Sequence, residues 1–377
     1  MSGVPDAFTT QVSPCAWAGQ EIEELVEKVL QGRGYPALTM SRDEQNRPVL
    51  VAGGAGYIGS HTVRALEKLG TPVVVLDDLS AGHREALKAP LEVCGLGDRE
   101  GLARVFEKHN PRSVIHFAAK CYVGESVEDP AKYYEHNVTY TWNLLQAMRA
   151  ADCRNIVFSS SCATYGDPVE IPMTDGHPQK PISPYGRTKL HMEHMIEDFA
   201  HAYDLHYAAL RYFNAAGASQ EGDLGEDHDP ETHLIPLILQ VALGQRDEIK
   251  IFGDDYDTPD GTCIRDYIHI EDLASAHIAA LNKLEAGTAR IACNLGTGTG
   301  FSVREVIEMA REVTGHAIPA TITPRRPGDP PQLISGGTLA KADLGWEPQR
   351  PDLRDIVSDA WQFLKAHPNG YSGSSDC

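Results

Sequence analysis

The run Pro48-Val49-Leu50-Val51-Ala52 passes directly into Gly53-Gly54-Ala55-Gly56-Tyr57-Ile58-Gly59 and then into a helical pattern that continues to Leu69. A glycine turn alone carries little information. Between a buried strand and a helix it restricts the chain to few architectures. Glycines there let the backbone approach a pyrophosphate, and the helix presents free N–H groups and its positive dipole end to the same anion. The next strand, Val73-Val74-Val75-Leu76, ends in Asp77-Asp78, followed by Leu79. A carboxylate at that strand end can accept hydrogen bonds from an adenosine ribose diol and repels a 2′-phosphate. The cofactor expected is therefore NAD rather than NADP, with His83 and Arg84 pulling the other way.

Further strand patterns occur at 113–117, 156–159 and 207–211, with helical stretches between them. Alternating strand and helix predicts an α/β fold, a Rossmann-type doubly wound parallel sheet. Ligands of such sheets lie outside the carboxyl ends of the strands. Ala118-Ala119, Ser159-Ser160-Ser161 and Tyr212-Phe213-Asn214 are thus expected to border one crevice. Beyond about residue 215 the texture changes. Residues 217–233 are acidic and glycine-containing, 252–263 is dense in turn formers, and helices at 233–243 and 302–314 flank short strands at 249–252 and 292–295. The expected organisation is a cofactor domain over 48–214 and a smaller mixed α/β domain over 215–371 closing on it, with parts near 264–275 returning to the first. A last helix spans 353–366, and the tail 372–377 reads as disordered.

Residues 1–47 differ from the rest. Ile22, Leu25, Val26, Val29 and Leu30 fall at helical spacing before Gly32 and Gly34, which reads as one amphipathic helix that docks on the body or binds a partner. The other reading is that Met40 is the start and this segment lies upstream of it. The chain of 377 residues, 42% hydrophobic and 23% charged, has ample capacity for a core. Its net charge of −20 argues against nucleic acid or an anionic membrane as a partner, so an anionic ligand needs a local cationic pocket. The eight cysteines contain no Cys-x-x-Cys pair and read as reduced thiols. With no leader and no long apolar run, the expected location is the cytoplasm.

Tyr185-Gly186-Arg187-Thr188-Lys189 follows Pro184, a residue suited to the first position of a helix. Tyr185 and Lys189, four apart, then share one face. Tyrosine titrates near ~10, and a fixed positive charge beside it favours the phenolate, which makes the pair a candidate base. His191 and His194 lie on the same helix with no third ligand evident, so they read as surface residues and no metal is expected.

Seven ordered motifs carry a resemblance: the glycine turn through His61, His116-Phe117-Ala118-Ala119, Val123-Gly124-Glu125-Ser126, Phe158 to Ser161, Pro184 to Lys189, Leu210 to Asn214, and Gly261 to His269. Together they resemble the extended short-chain dehydrogenase/reductase family and, within it, the branch that acts at C4 of UDP-hexoses. The resemblance covers residues 48 to 371. It implies transient oxidation to a 4-keto sugar and return of the hydride, with Tyr185 as base, Ser161 bonding the reacting oxygen, and Lys189 holding the nicotinamide ribose and lowering the Tyr185 pKa. It implies NAD contacts from Gly53, Gly56, Tyr57, Ile58 and Gly59; from Asp77, Asp78, Leu79 and Leu96; and from Phe117, Ala118, Ala119, Asn137, Ser159, Tyr185, Lys189 and Phe213. For the UDP-sugar it assigns Ser161, Tyr185, Asn214, His233 and Leu234, with Ile251 and Phe252 on the uracil, Arg265 and Arg326 on the diphosphate, Asp329 on a ribose hydroxyl, and Leu333 beside the sugar. A homodimer through helices near Trp142 and Met192 is implied as well.

The chain departs from the family pattern at Gly95-Leu96, where an acid usually meets the adenine, and at Cys121, where some members carry lysine. His136 replaces the first residue of an Asn-Asn pair. A dehydratase on the same fold needs an Asp-Glu pair after the strand-end serine, and Cys162-Ala163 cannot supply a carboxylic acid proton. Other readings left open are epimerisation of UDP-N-acetylglucosamine or a UDP-pentose, and a non-catalytic NAD sensor or scaffold.

Overall fold

A computed structural model describes residues 42–326 and 328–371. The helix expected near Ile22 and the tail at 372–377 lie outside the described residues. The first strand, β1 (Val49–Ala52), is followed by α1 (Tyr57–Lys68), β2 (Val73–Asp77), β3 (Leu91–Val93), α2 (Arg99–His109), β4 (Ser113–His116), α3 (Tyr140–Ala150), β5 (Asn155–Ser161), α4 (Pro184–Tyr203) and β6 (His206–Tyr212). β1 pairs in parallel with β2 on one side and β4 on the other, Val49 facing both Val73 and Ser113. The strand order therefore reverses at β1. That reversal opens a crevice at the carboxyl end of the sheet.

Both faces of this sheet are covered, which is why its strands read as unbroken apolar runs. Val49 and Val51 join the core that contains Val63 and Leu66 of α1. Leu50 and Ala52 point the opposite way, into the core built on Leu102 and Phe106 of α2, Leu144 and Met148 of α3, and Met192 and Ile196 of α4.

The chain then makes β7 (Asn214–Ala216), α5 (Leu234–Ala242), β8 (Ile249–Phe252), β9 (Ile264–His269), α6 (Ile270–Glu285), β10 (Arg290–Leu295), β11 (Gly300–Ser302), α7 (Val303–Thr314), β12 (Ala320–Thr323), β13 (Gln332–Leu333) and α8 (Leu353–Ala366). One expectation is corrected here. The strand expected at 292–295 in the smaller domain is β10, and it is the outermost strand of the main sheet. Its partner is β6, with Ile291 opposite Ala208 and Cys293 opposite Leu210, giving the order β10-β6-β5-β4-β1-β2-β3. Ile278 and Leu281 of α6 share the α1 core. The return to the first sheet thus runs from 270 to 295, well beyond 264–275. Composition marks where loops lie, but the choice of strand partner is non-local and left no local trace.

In the remainder, β9 pairs with β11, β13 and β7, and β8 pairs in parallel with β12. Ile235, Ile238 and Leu239 of α5, Val306 and Ile307 of α7, and Ile356 and Val357 of α8 form its core. Two buried polar anchors fix the parts. Asp266 accepts the N–H groups of Thr297 (2.9 Å), Gly298 (3.0 Å) and Ser335 (3.1 Å). Glu193 of α4 accepts Arg211 of β6 at 2.6 Å and also the Ser160 hydroxyl. Among the described residues, no helix is long and apolar enough to cross a membrane.

Candidate active site

The glycine turn is shaped by close approach. Gly53 has φ +78°, and a Cβ there would lie 2.5 Å from the Ala118 nitrogen. A Cβ at Gly59 would lie 2.2 Å from the Gly53 carbonyl oxygen. Gly56 is the N-cap of α1 and has no side chain to occupy the helix N-terminus, so this cradle fits a dinucleotide pyrophosphate. The Tyr57 hydroxyl donates to the Gly217 carbonyl at 2.7 Å, and Ile58 packs on the α1 core. At the end of β2, the Asp77 carboxylate accepts Ala55 N–H (2.9 Å) and Leu79 N–H (2.8 Å), one on each oxygen. Burial raises its pKa and these bonds oppose the rise. Leu79 itself sits at φ +58°, an unusual conformation for leucine, beside this carboxylate. Burial also opposes ionisation of Asp78, but bonds from Ser80 and the charge of Lys120 outweigh it and its pKa falls.

At the Gly95-Leu96 departure, Leu96 is buried and its carbonyl accepts the Asn143 amide at 3.0 Å. Phe117 packs on His277 with ring centroids 4.7 Å apart, and Ala118 N–H donates to Ala52. Ala119, half-buried, follows it. Asn137 holds both the N–H and the carbonyl of Lys120 and donates to Thr188, so its side chain positions the segment after β4 instead of presenting free donors. The Lys120 ammonium lies 3.4 Å from Ser80, on the Asp78 side.

Tyr185 and Lys189 occupy the first turns of α4, which Ser183 caps by accepting Gly186 N–H, with Pro184 at the start. Both side chains are buried, and the Lys189 ammonium lies 5.9 Å from the Tyr185 ring centre. It donates to the Ser159 carbonyl at 2.9 Å. The Ser159 hydroxyl meets the Tyr212 hydroxyl at 2.9 Å. Ser161, at the end of β5, accepts Ala163 N–H, and its hydroxyl favours ionisation of Tyr185. The expected electrostatics need correction. Burial pushes the Tyr185 phenol well above its ordinary value, Tyr212 and Cys121 add to this, and the Ser161 hydroxyl only partly opposes it. Lys189, itself desolvated, is pushed down to about 8 and is not what sets the phenol.

On the other side of the crevice, Arg265 donates to Asp329 at 2.7 Å and Arg326 donates to the second oxygen of the same carboxylate at 3.0 Å. Arg265 from one motif therefore meets Arg326 and Asp329 from another stretch, leaving one net positive charge on a chain of −20. Arg326 also covers the Phe252 ring at 4.7 Å. Ile251 does not share that face. Strand alternation in β8 buries Ile249 and Ile251 in the core and exposes Lys250 and Phe252, so a base stacked on Phe252 meets Lys250 and not the Ile251 side chain. Asn214 donates to the Asp266 carbonyl at 2.9 Å. Phe213 forms a small cluster with Tyr165 and Met173, against which Leu333 packs.

Residues 49–296 match the NAD dependent epimerase/dehydratase family. The chain belongs to this family. A UDP-glucose 4-epimerase of Halalkalibacterium halodurans is 54% identical over 325 residues, which cover 86% of this chain and 97% of that one. The structure of a UDP-glucose 4-epimerase from Brucella ovis in complex with NAD is 51% identical with a TM-score of 0.82, over 84% of this chain and 98% of that one. A UDP-glucose-4-epimerase from Stenotrophomonas maltophila, solved with NAD and formylated UDP-arabinopyranose, is 40% identical with a TM-score of 0.83, over 86% and 99%. The cofactor of this family member is NAD.

The family motifs do not account for one cluster. His233, at the N-cap of α5, and Leu234 after it follow a loop in which Glu226, His228 and Glu231 turn inward, and these three join His233 as four metal-type donors within 4.8 Å of one another. Burial works against a charged His233, but Glu226 and then Glu231 outweigh it and hold the ring up to about 9. The spacing Glu-x-His-x-x-Glu-x-His was visible in the sequence. His191 and His194, where a metal was considered, are exposed on α4.

Proposed function

We infer that the protein is an isomerase that interconverts UDP-glucose and UDP-galactose by NAD-dependent epimerisation at C4. The observation that carries this reading is about 50% identity to UDP-glucose 4-epimerases over nearly their whole length. Bound NAD would supply a hydride acceptor that is also the later donor. Tyr185 takes the proton of the sugar 4-hydroxyl and returns it after the 4-keto sugar has turned over. Ser161 bonds the same oxygen in both states. The sugar loses and regains one hydride and one proton, so no net oxidation results. Lys189 holds the nicotinamide ribose, with its ammonium oriented by the Ser159 carbonyl. Arg265 and Arg326 face the diphosphate, with Asp329 fixing both guanidinium groups. The sheet-bearing part holds NAD, the part built on β8, β9 and α5 holds the UDP-sugar, and the cytoplasm is the proposed location. The test is conversion of UDP-galactose by purified protein without added NAD, with NAD released on heating. Failure of interconversion by NAD-loaded protein overturns the reading.

Leu333 is proposed to set sugar breadth. It packs against the cluster of Tyr165, Met173 and Phe213, as does Cys162 next to Ser161, and a tyrosine there would narrow the pocket. Turnover of UDP-N-acetylglucosamine is expected, and Leu333→Tyr should lower the kcat/KM ratio of the acetamido sugar to UDP-glucose by about tenfold or more. An unchanged ratio removes Leu333 as the gate. A homodimer through α3 and α4 is also proposed. Trp142 is partly exposed under Arg99, whereas Met192 faces the core and leaves the outward positions to His191 and His194. Light scattering at micromolar concentration should give twice the chain mass, and a monomer refutes the dimer.

A further inference from the structure

Two glutamates that are almost fully buried, Glu226 and Glu231, face each other with side chains only 6% and 5% exposed. Among the described residues their ion pairs are all with His228 and His233, and neither meets a lysine or arginine. Buried carboxylates in that setting call for a cation. The His228 ring points Nδ1 at this pair, 3.0 Å from Glu226 Oε1 and 3.8 Å from Glu231 Oε2. That nitrogen is enclosed, yet it makes no hydrogen bond of acceptable geometry. His233 Nδ1 lies 3.6 Å from Glu231 Oε1 and in close contact with Glu226 Oε1.

We propose that Glu226, His228, Glu231 and His233 bind one Zn²⁺ ion. Four ligands at ~2.0–2.1 Å from a tetrahedral centre stand about 3.3 Å apart. With one donor atom from each residue, all four lie within 4.8 Å of one another, and His228 Nδ1 stands 3.0 Å from Glu226 Oε1, close to that value. Two imidazoles with two carboxylates suit zinc, whereas Ca²⁺ and Mg²⁺ require a fuller oxygen shell. The loop is already shaped for it, since Glu231 accepts the N–H groups of Thr232 and His233 at 2.6 and 2.7 Å.

The site is structural. The His228 ring stands edge-on to Tyr57 of the glycine turn (6.3 Å) and to Tyr122 (6.2 Å), and His233 occupies the N-cap position of α5. One ion therefore clamps the loop 226–233 between the dinucleotide turn and the helix carrying Leu234. Nothing in this placement requires the ion to touch a reacting atom.

The full-length NAD-loaded protein is freed of metal with chelator and then titrated with ZnCl₂, reading bound metal by mass spectrometry. One zinc per chain is expected, together with a raised Tm and an anomalous peak between the four side chains at the zinc edge in crystals. His228→Ala and Glu231→Gln should each weaken zinc binding by more than about 100-fold, beyond what loss of an outer-shell partner causes. NAD content and circular dichroism report whether each variant has folded. If a variant does not fold, the anomalous map of the unaltered protein decides. A peak elsewhere, no stoichiometric zinc, or unchanged affinity in both variants overturns the site, and stoichiometric manganese with no zinc overturns the choice of ion.

Discussion

Tyr185→Phe is expected to lower kcat for UDP-galactose by about 10³-fold or more while leaving the Kd for UDP within about twofold, as loss of a general acid–base group does when little ground-state contact is removed. The substitution deletes one oxygen. The ring keeps its place, edge-on to Tyr133 at 6.5 Å, and Ser161 remains at the end of β5. Turnover measured beside calorimetry with UDP checks both halves, and near-normal turnover would remove Tyr185 from the chemistry. The electrostatics add a second arm. Burial is the main cause that holds the Tyr185 phenol well above its ordinary value. Phenolate absorbance assigned to Tyr185 by difference with the Phe variant should therefore be missing near neutral pH in NAD-stripped protein and present in the NAD-loaded form. Equal signals in both would mean that the protein alone tunes the base.

Glu193→Ala should destabilise the fold by about 3–5 kcal/mol, because Arg211 is then left buried without its counter-charge. Glu193 and Arg211 are both largely buried, and Gln179 and Tyr165 complete the arginine's bonding. Glu193→Ala combined with Arg211→Met should recover a large part of the loss, since two apolar side chains leave no stranded charge. Chemical denaturation of the three variants measures this, and a single variant within about 1 kcal/mol of the parent would contradict it. Burial works against the Glu193 charge, but the bond and charge of Arg211 together with the bonds from Ser160 and Gln179 outweigh it, and the folded pKa is depressed. Its stabilisation is therefore full above the unfolded value of ~4.3 and is lost as pH falls from there through the folded value. Glu193→Ala should flatten the acid limb of the stability curve in that window.

Much of the site was legible because its signals are local. A positive φ at Gly53 and a Cβ clash at Gly59 are properties of a short turn, and entry into α4 follows from Pro184, to which the structure adds the Ser183 cap. The resemblance put Arg265 and Arg326 on the diphosphate and Asp329 on a ribose hydroxyl, but the bonds from Asp329 to both guanidinium groups were not foreseen, since no spacing rule brings Arg265 and Asp329, 64 apart, together. The misses divide by cause. Ile251 was misassigned although simple alternation with Phe252 would have turned it inward. The 292–295 strand was assigned to the wrong part because pairing with β6 depends on residues some 80 positions earlier. The electrostatic role given to Lys189 overlooked its bond to the Ser159 carbonyl and its own desolvation, neither of which a four-residue spacing reveals.

The late return of β10 and α6 to the main sheet bears on how the protein is made. Until residue 295 has left the ribosome, β6 is an open edge and the α1 face lacks Ile278, Leu281 and their neighbours. The nascent cofactor half cannot close its own core while the loop 226–233, α5, β8 and β9 are being synthesised. Its completion is tied to segments from the last third of the chain, and a fragment ending after β6 inherits an unpaired strand as an aggregation hazard instead of a free-standing domain.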